Sequence, residues 1–220
     1  MTTAADLYQR ALGTLGLSFP DGLVGLTNET GALAALNGGL QDLSTKHNWQ
    51  FAYEEEIIQT SPGKHAYDPP CDWLQTSMLI GLDGHFELQP RQRREHFLFP
   101  APDRPIWYDT SGDKILLAPV PDGTYQILHG YYKRLPVIRR DTDSYETLQE
   151  QLDEEQINVP APYDELAVLY IARRLTLLEK DREHYQMVND QLNDYIRTIS
   201  DNRMRQTRPG RVSTRKDVRY

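Results

Sequence analysis

Apolar positions along this chain recur with a helical period at both ends and with a strand period in the middle. Near the start, Leu7, Ala11, Leu12 and Leu15 share one helix face. The opening Thr3-Ala4-Ala5-Asp6 is shaped like a capping box with Asp in the place of Glu, and Gly13 and Gly16 weaken and end the helix. Leu33, Leu36, Leu40 and Leu43 follow at spacings of three, four and three, which predicts a second helix over 30–47. Gly38 and Gly39 lie inside it, where each glycine costs about 1 kcal/mol relative to alanine. The pair is read as a close helix contact or a kink.

From Trp49 the period shortens. Phe51 to Gln59 reads as a strand, Ser61-Pro62-Gly63 as a turn, and Tyr67-Asp68-Pro69-Pro70 as a strand end running into a rigid bend. Trp73 to Leu82 and His85 to Gln89 flank Asp83-Gly84, the signal of a two-residue hairpin. Ile106 to Asp109 and Lys114 to Pro119 flank Ser111-Gly112, and Pro121-Asp122-Gly123 turns the chain into Thr124 to Lys133. Five to seven short antiparallel strands are expected, forming a small sheet or sandwich between helical segments.

The helical period returns after Pro160 and Pro162, two residues suited to a helix start. Leu166, Val168, Leu169, Tyr170, Ile171, Leu175 and Leu178 make the next helix apolar around much of its circumference, so it is expected to be buried. Beyond Glu179-Lys180-Asp181, Tyr185, Val188, Leu192, Tyr195 and Ile199 form a narrow seam at alternate spacings of three and four. Fewer than three clean heptads favour packing within the chain over an oligomeric coiled coil.

The expected fold class is α+β: an antiparallel bundle of about four helices with an inserted small antiparallel β-sheet or sandwich and an extended C-terminal arm. The segments are 1–50 (N-terminal helices), 51–136 (β-rich insertion), 137–159 (acidic connecting loop), 160–200 (C-terminal helices) and 201–220 (basic arm). The bundle core is assigned to Leu33, Leu36, Leu40, Leu43, Trp49, Leu175, Leu178, Tyr185, Val188, Leu192 and Tyr195.

Charge sharpens this division. Residues 201–220 carry Arg203, Arg205, Arg208, Arg211, Arg215, Lys216 and Arg219 against Asp201 and Asp217, a net of +5. Residues 1–200 hold 17 basic and 30 acidic side chains, a net of −13. An acidic body followed by a basic, Pro- and Gly-containing, apolar-poor tail implies an arm that needs a partner to become ordered. With 39% hydrophobic residues in 220 the rest of the chain is expected to fold. No stretch approaches the roughly 18 apolar residues of a membrane span, and Asp6 and Arg10 interrupt any signal-peptide core. The expectation is a protein of a reducing cytoplasm, to which a single cysteine, Cys71, is suited.

Chemistry is sparse. His47, His65, His85, His96, His129 and His184 are scattered singly, without metal-site spacing. Asp141-Thr142-Asp143-Ser144 begins like a calcium loop, but Glu146 stands where the loop needs glycine. No phosphate-cradling glycine loop or nucleophile elbow occurs. No enzyme activity, catalytic residue, metal or cofactor is expected. A hydrolase would require His96 or His129 to meet a carboxylate in a cleft.

The order of motifs resembles the head-to-tail adaptor proteins of tailed bacteriophages. The resemblance runs through Leu36-Asn37-Gly38-Gly39-Leu40 to His47-Asn48-Trp49-Gln50-Phe51, then Tyr67-Asp68-Pro69-Pro70-Cys71-Asp72-Trp73-Leu74 and Pro105-Ile106-Trp107-Tyr108. It continues in Ile115 to Tyr125, in Tyr131-Tyr132-Lys133-Arg134-Leu135-Pro136, and in Pro160-Ala161-Pro162-Tyr163-Asp164-Glu165-Leu166, covering roughly residues 4–200. Residues 141–158 and the basic tail depart from the pattern. The resemblance implies a ring, usually of twelve copies, beneath the portal protein in the neck of the virion and assembled in the host cytoplasm. Its channel would pass double-stranded DNA without sequence-specific binding, and its lower face would receive a tail or nozzle protein, with no membrane partner. The arm, with Arg203, Arg205, Arg208, Arg211, Arg215, Lys216, Arg219 and Tyr220, is expected to reach carboxylates of the portal or of a neighbouring subunit. The alternative is a nucleic-acid-binding protein acting through the same tail.

Overall fold

The computed structural model describes residues 2–17, 29–91, 101–110, 112–161, 163–178 and 180–206, the last six of these as backbone only. Among them, five α-helices and ten short strands make a mixed α+β fold. The chain divides into two compact units, 1–39 with 139–220, and 40–138. The observed division between 39 and 40 falls inside a helix, whereas the sequence reading ended the N-terminal helices at 50 and the β-rich insertion at 136.

The first unit gathers the two chain ends. Helix α1 (Ala4–Thr14) is capped as its sequence requires, with the Thr3 hydroxyl accepting the Asp6 amide at 3.2 Å. Helix α2 (Glu29–Lys46) matches the predicted span within a residue. Its glycine pair marks a close approach: a Cβ at Gly39 would lie 2.7 Å from backbone atoms of Ile171. Ile171 belongs to α4 (Tyr163–Leu178), whose Leu166, Ala167, Val168, Tyr170, Ile171 and Ala172 are almost completely buried. Helix α4 packs against α1 and against α5 (Arg182–Gln206), where Val188, Leu192 and Ile199 are buried and Tyr185 and Tyr195 half-buried, as the seam predicts. Leu178 departs from its core assignment. It is 47% exposed beside Leu177, in the last turn of α4 before the chain reverses through Lys180 at φ 58°.

Residues 137–159 are more than a connecting loop. They contain helix α3 (Leu148–Glu154), opened by a full capping box in which Thr147 and Glu150 each accept the other's amide at 3.2 Å. Leu148 and Leu152 are buried one turn apart. Strand β10 (Gln156–Ile157) then pairs with β1 (Thr2–Thr3), and Ala4 N–H donates to Glu155 O at 2.9 Å, fastening the N-terminus. The calcium-like stretch is an Asp-closed turn: Asp141 accepts the amides of Asp143 and Ser144 at 3.0 and 3.2 Å.

The second unit begins with the end of α2. Trp49 donates its indole N–H to Leu43 O at 2.7 Å, and Ser44 accepts the Leu135 amide at 3.0 Å. Leu40, Leu43 and Trp49 are buried here, so they do not share a compact unit with Leu36, Leu175, Val188 and Leu192. Leu33 is only half-buried. After a 3₁₀ turn at Gln50–Ala52, eight strands form two four-stranded sheets. One has the order β2 (Tyr53–Gln59), β9 (Gln126–Lys133), β4 (Trp73–Gly81), β5 (Phe86–Glu87). The other has β3 (Ala66–Tyr67), β8 (Ile115–Ala118), β7 (Trp107–Asp109), β6 (Gln89–Pro90). Ile58, Leu79 and Ile127 of the first meet Tyr67, Tyr108, Ile115 and Leu117 of the second in one core.

Two details depart from the sequence reading. The β4–β5 connection uses four residues, 82–85, with His85 taking the left-handed conformation at φ 50° and the Asp83 carboxylate accepting the Gln126 amide at 3.0 Å. Strands β6 and β7 pair in parallel, where antiparallel strands alone were expected.

Candidate interaction surface

Helix α5 has 25 residues against 16 in α4, on which it folds back. Tyr195 stands near the first turn of α4, its phenol pKa raised by burial and then by Glu165 and Asp164. The rest of α5 therefore runs on past the start of α4. Arg203 and Arg205 were assigned to an extended arm from 201, but helical backbone continues to Gln206 because no proline or glycine intervenes before Pro209-Gly210. Arg208, Arg211, Arg215, Lys216, Arg219 and Tyr220 lie outside the described residues.

At the same end of the helical unit, Arg10 of α1 bridges to α4. Its guanidinium lies 3.2 Å from Asp164 and 2.8 Å from Glu165, with Asp6 at 3.5 Å. Both α4 carboxylates sit in the first turn, where the helix dipole also favours them. Towards the α4–α5 turn, Leu12, Leu15, Leu17, Leu175 and Thr176 line a cavity of about 270 Å³ with Asp181 and His184 at its polar side. Asp181 caps α5 through the His184 amide at 3.1 Å and also meets its imidazole at 2.6 Å; the amide first, then the ring, holds this carboxyl below its ordinary pKa.

The sheet of β2, β9 and β4 carries a polar network. Trp73 donates its indole N–H to the Thr76 hydroxyl at 3.1 Å, Thr76 lies 3.0 Å from His129 Nε2, and His129 Nδ1 lies 3.1 Å from Glu56. With the Thr76 hydroxyl donating onward, the neutral imidazole accepts at Nε2 and donates to the Glu56 carboxylate from Nδ1. The ring is fully buried, and burial holds its pKa below the ordinary value, against the pull of Glu56. Tyr131 stacks on it with centroids 5.1 Å apart, while its hydroxyl points at Glu54 and Asp72; burial, then these carboxylates, push its pKa up to about 12. Lys133 pairs with Glu54. His129 thus meets the carboxylate that a hydrolase would need, and hydroxyl, imidazole and carboxylate stand in nucleophile, base and orienter order. The imidazole, however, is sealed from solvent, and the geometry satisfies buried polar groups of the sheet. His96 is outside the described residues.

The opposite face of this sheet mixes apolar and aromatic residues with Glu55 and Gln75. Ile57, Leu128 and Ile80 align in one row, Glu55, Gly130 and Met78 in the next, Tyr53, Tyr132 and Gln75 in a third. Ile57 is 59% exposed. Tyr53 lies across Gly130, where a Cβ would come within 2.4 Å of its hydroxyl, and its ring meets Tyr132 edge-on at 5.7 Å. Sequence reasoning missed this face and the Glu54-Glu56-His129 network, although the alternation of Glu54, Glu56 and Ile58 is legible in the chain. Among the described residues no group of three or more histidine, cysteine or acidic side chains is arranged to hold a metal ion, and no helix is long and apolar enough to cross a membrane.

The class to which the chain is similar is that of phage adaptor proteins. It matches the family described as SU10 adaptor protein over residues 2–213 and belongs to that family. No curated protein matches it. The resemblance to head-to-tail adaptors read from its motifs is thereby borne out at the level of the family.

Proposed function

We propose that this chain is a non-enzymatic structural subunit of the virion neck. In this reading copies form a ring, usually of twelve, that docks under the portal, extends the DNA channel and offers the tail its attachment site. The observation that carries the proposal is the family match across residues 2–213, nearly the whole chain. The helices α1, α2, α4 and α5 would be the four-helix bundle, with the β-sandwich as its insertion. The basic residues Arg203, Arg205, Arg208, Arg211, Arg215, Lys216 and Arg219, with Tyr220 at the end, would form the attachment segment. Arginine's planar fork of donors suits bidentate pairing with carboxylates of the portal or of a neighbouring copy. The overhang of α5, whose backbone runs on past the start of α4 to Gln206, supports this. An acidic channel wall would let DNA slide without sticking.

The test is attachment to purified portal rings, followed by mass measurement and imaging. The full chain is expected to add as a ring, and deletion of residues 201–220 to abolish attachment while urea unfolding stays cooperative and circular dichroism loses only the last helical residues, 201–206. Retained attachment after deletion removes the role given to the basic segment, and particles whose neck lacks this subunit overturn the adaptor assignment.

A further inference from the structure

Among the described residues, strand β2 is the outer strand of its sheet, bonded to β9 alone. Thr60 N–H donates to Tyr125 O at 2.9 Å. In an antiparallel ladder every second residue turns its N–H and C=O to the partner, so Glu54, Glu56 and Ile58 face β9 and Tyr53, Glu55, Ile57 and Gln59 turn theirs outward. An open row of this kind is a template for another strand. Its side chains specify the strand that fits. Glu54 and Glu56 lie on one face with side chains 43% and 37% exposed, and the only cation paired with either among the described residues is Lys133, because His129 is held neutral. On the other face Ile57 is 59% exposed beside Leu128 and Ile80. The complement is a segment that alternates basic and aliphatic residues.

The end of this chain sets three of the four basic residues of 211–220 in one parity, with Ser213 and Asp217 between them. From 211 to 220 the odd positions are Arg211, Ser213, Arg215, Asp217 and Arg219, and the even positions are Val212, Thr214, Lys216, Val218 and Tyr220. As a strand it would carry three arginines on one face and mainly β-branched and aromatic residues on the other. Ten residues extend about 33 Å, enough to run the length of β2. Pro209-Gly210 separates the segment from the end of α5.

We infer that residues 211–220 of a neighbouring copy add a strand to the open edge of β2, with Arg211, Arg215 and Arg219 on the face of Glu54 and Glu56 and the even-numbered residues, Val212 and Val218 among them, on the face of Ile57. This rests on the adaptor reading only in requiring that copies adjoin, and it names the carboxylates that the basic segment would find. Backbone bonds would supply affinity and the alternating side chains register.

Residue-resolved amide exchange on the full chain tests it. As protein concentration rises, the amides of Glu55 and Ile57 are expected to slow about tenfold or more. In the double variant Thr214→Pro, Arg215→Pro, which removes one donor of each parity, they are expected to return to the dilute rate. The amides of Glu54, Glu56 and Ile58, bonded to β9, stay protected throughout and report an intact sheet. Free exchange of Glu55 and Ile57 at every concentration overturns the inference; so does protection that ignores concentration, which would mean the chain's own tail, or protection that survives the two prolines. A protein that docks on portal rings while these amides exchange freely sinks the strand addition and leaves the adaptor reading standing.

Discussion

Two adjacent glycines in α2 do different work. At Gly39 a methyl group would press on the Ile171 backbone at 2.7 Å, and backbone cannot swing aside, whereas at Gly38 it meets only the Arg174 side chain at 3.2 Å. Gly39→Ala is expected to destabilise by about 1 to 3 kcal/mol through overpacking, while Gly38→Ala should range from neutral to a gain of about 1 kcal/mol from helix propensity. Urea unfolding of the two variants separates them, and equal effects would refute the close approach. His129 supplies a second residue-scale test. Its folded pKa lies below the ordinary value because the ring is buried, so in the unfolded chain, where histidine titrates near 6.5, the proton binds first. The stability of the neutral imidazole is therefore intact above about pH 6.5 and is lost as the pH falls towards the folded pKa, at up to about 1.4 kcal/mol per pH unit. His129→Gln should flatten the fall in urea midpoint between about pH 7 and about pH 5. A smaller slope should persist from His47, whose pKa burial and then Lys46 also lower.

At the scale of elements, the capping box of α3 is the clearest lever. Thr147→Ala removes a cap contributing about 1 kcal/mol. Because α3 leads directly into β10, which holds β1, the loss should spread to the N-terminus and speed exchange of the Ala4 amide, bonded to Glu155 O at 2.9 Å. Unchanged exchange there would mean that β1 and β10 pair independently of the helix. The same helix marks the limit of what the chain reveals unaided. Helices α1, α2, α4 and α5 are legible because each repeats apolar residues over three or more turns. In α3 only Leu148 and Leu152 do so, within an acidic run, and the Thr147-x-x-Glu150 pattern is its sole signature. The hairpin at Asp83-Gly84 was readable as a turn but not in length, since the left-handed residue is His85 and not the glycine beside it, and positive φ is uncommon outside glycine. The polar face of the sheet was illegible for a different reason: Glu56 and His129 are 73 residues apart, and only strand register brings them together.

At the scale of the whole molecule, charge separates along the chain, with −13 on residues 1–200 and +5 on the last twenty. The competing use of that tail is binding to nucleic acid. Seven cations neutralising phosphates would give a slope of log affinity against log salt of at most about −6, and the body would repel the same duplex. Full chain and duplex DNA are therefore expected to associate only at low salt, with no measurable binding at about 0.15 M, where the screening length is about 8 Å. Attachment to a protein partner through the same arginines should fall less with salt, because bidentate arginine–carboxylate bonds are short, directional and partly shielded from ions. Equilibrium titrations of DNA and of portal rings over one salt series compare the two directly. Micromolar affinity for DNA at about 0.15 M salt would tip the balance, since an acidic body that tolerates such contact is not the inner wall of a channel through which DNA must slide.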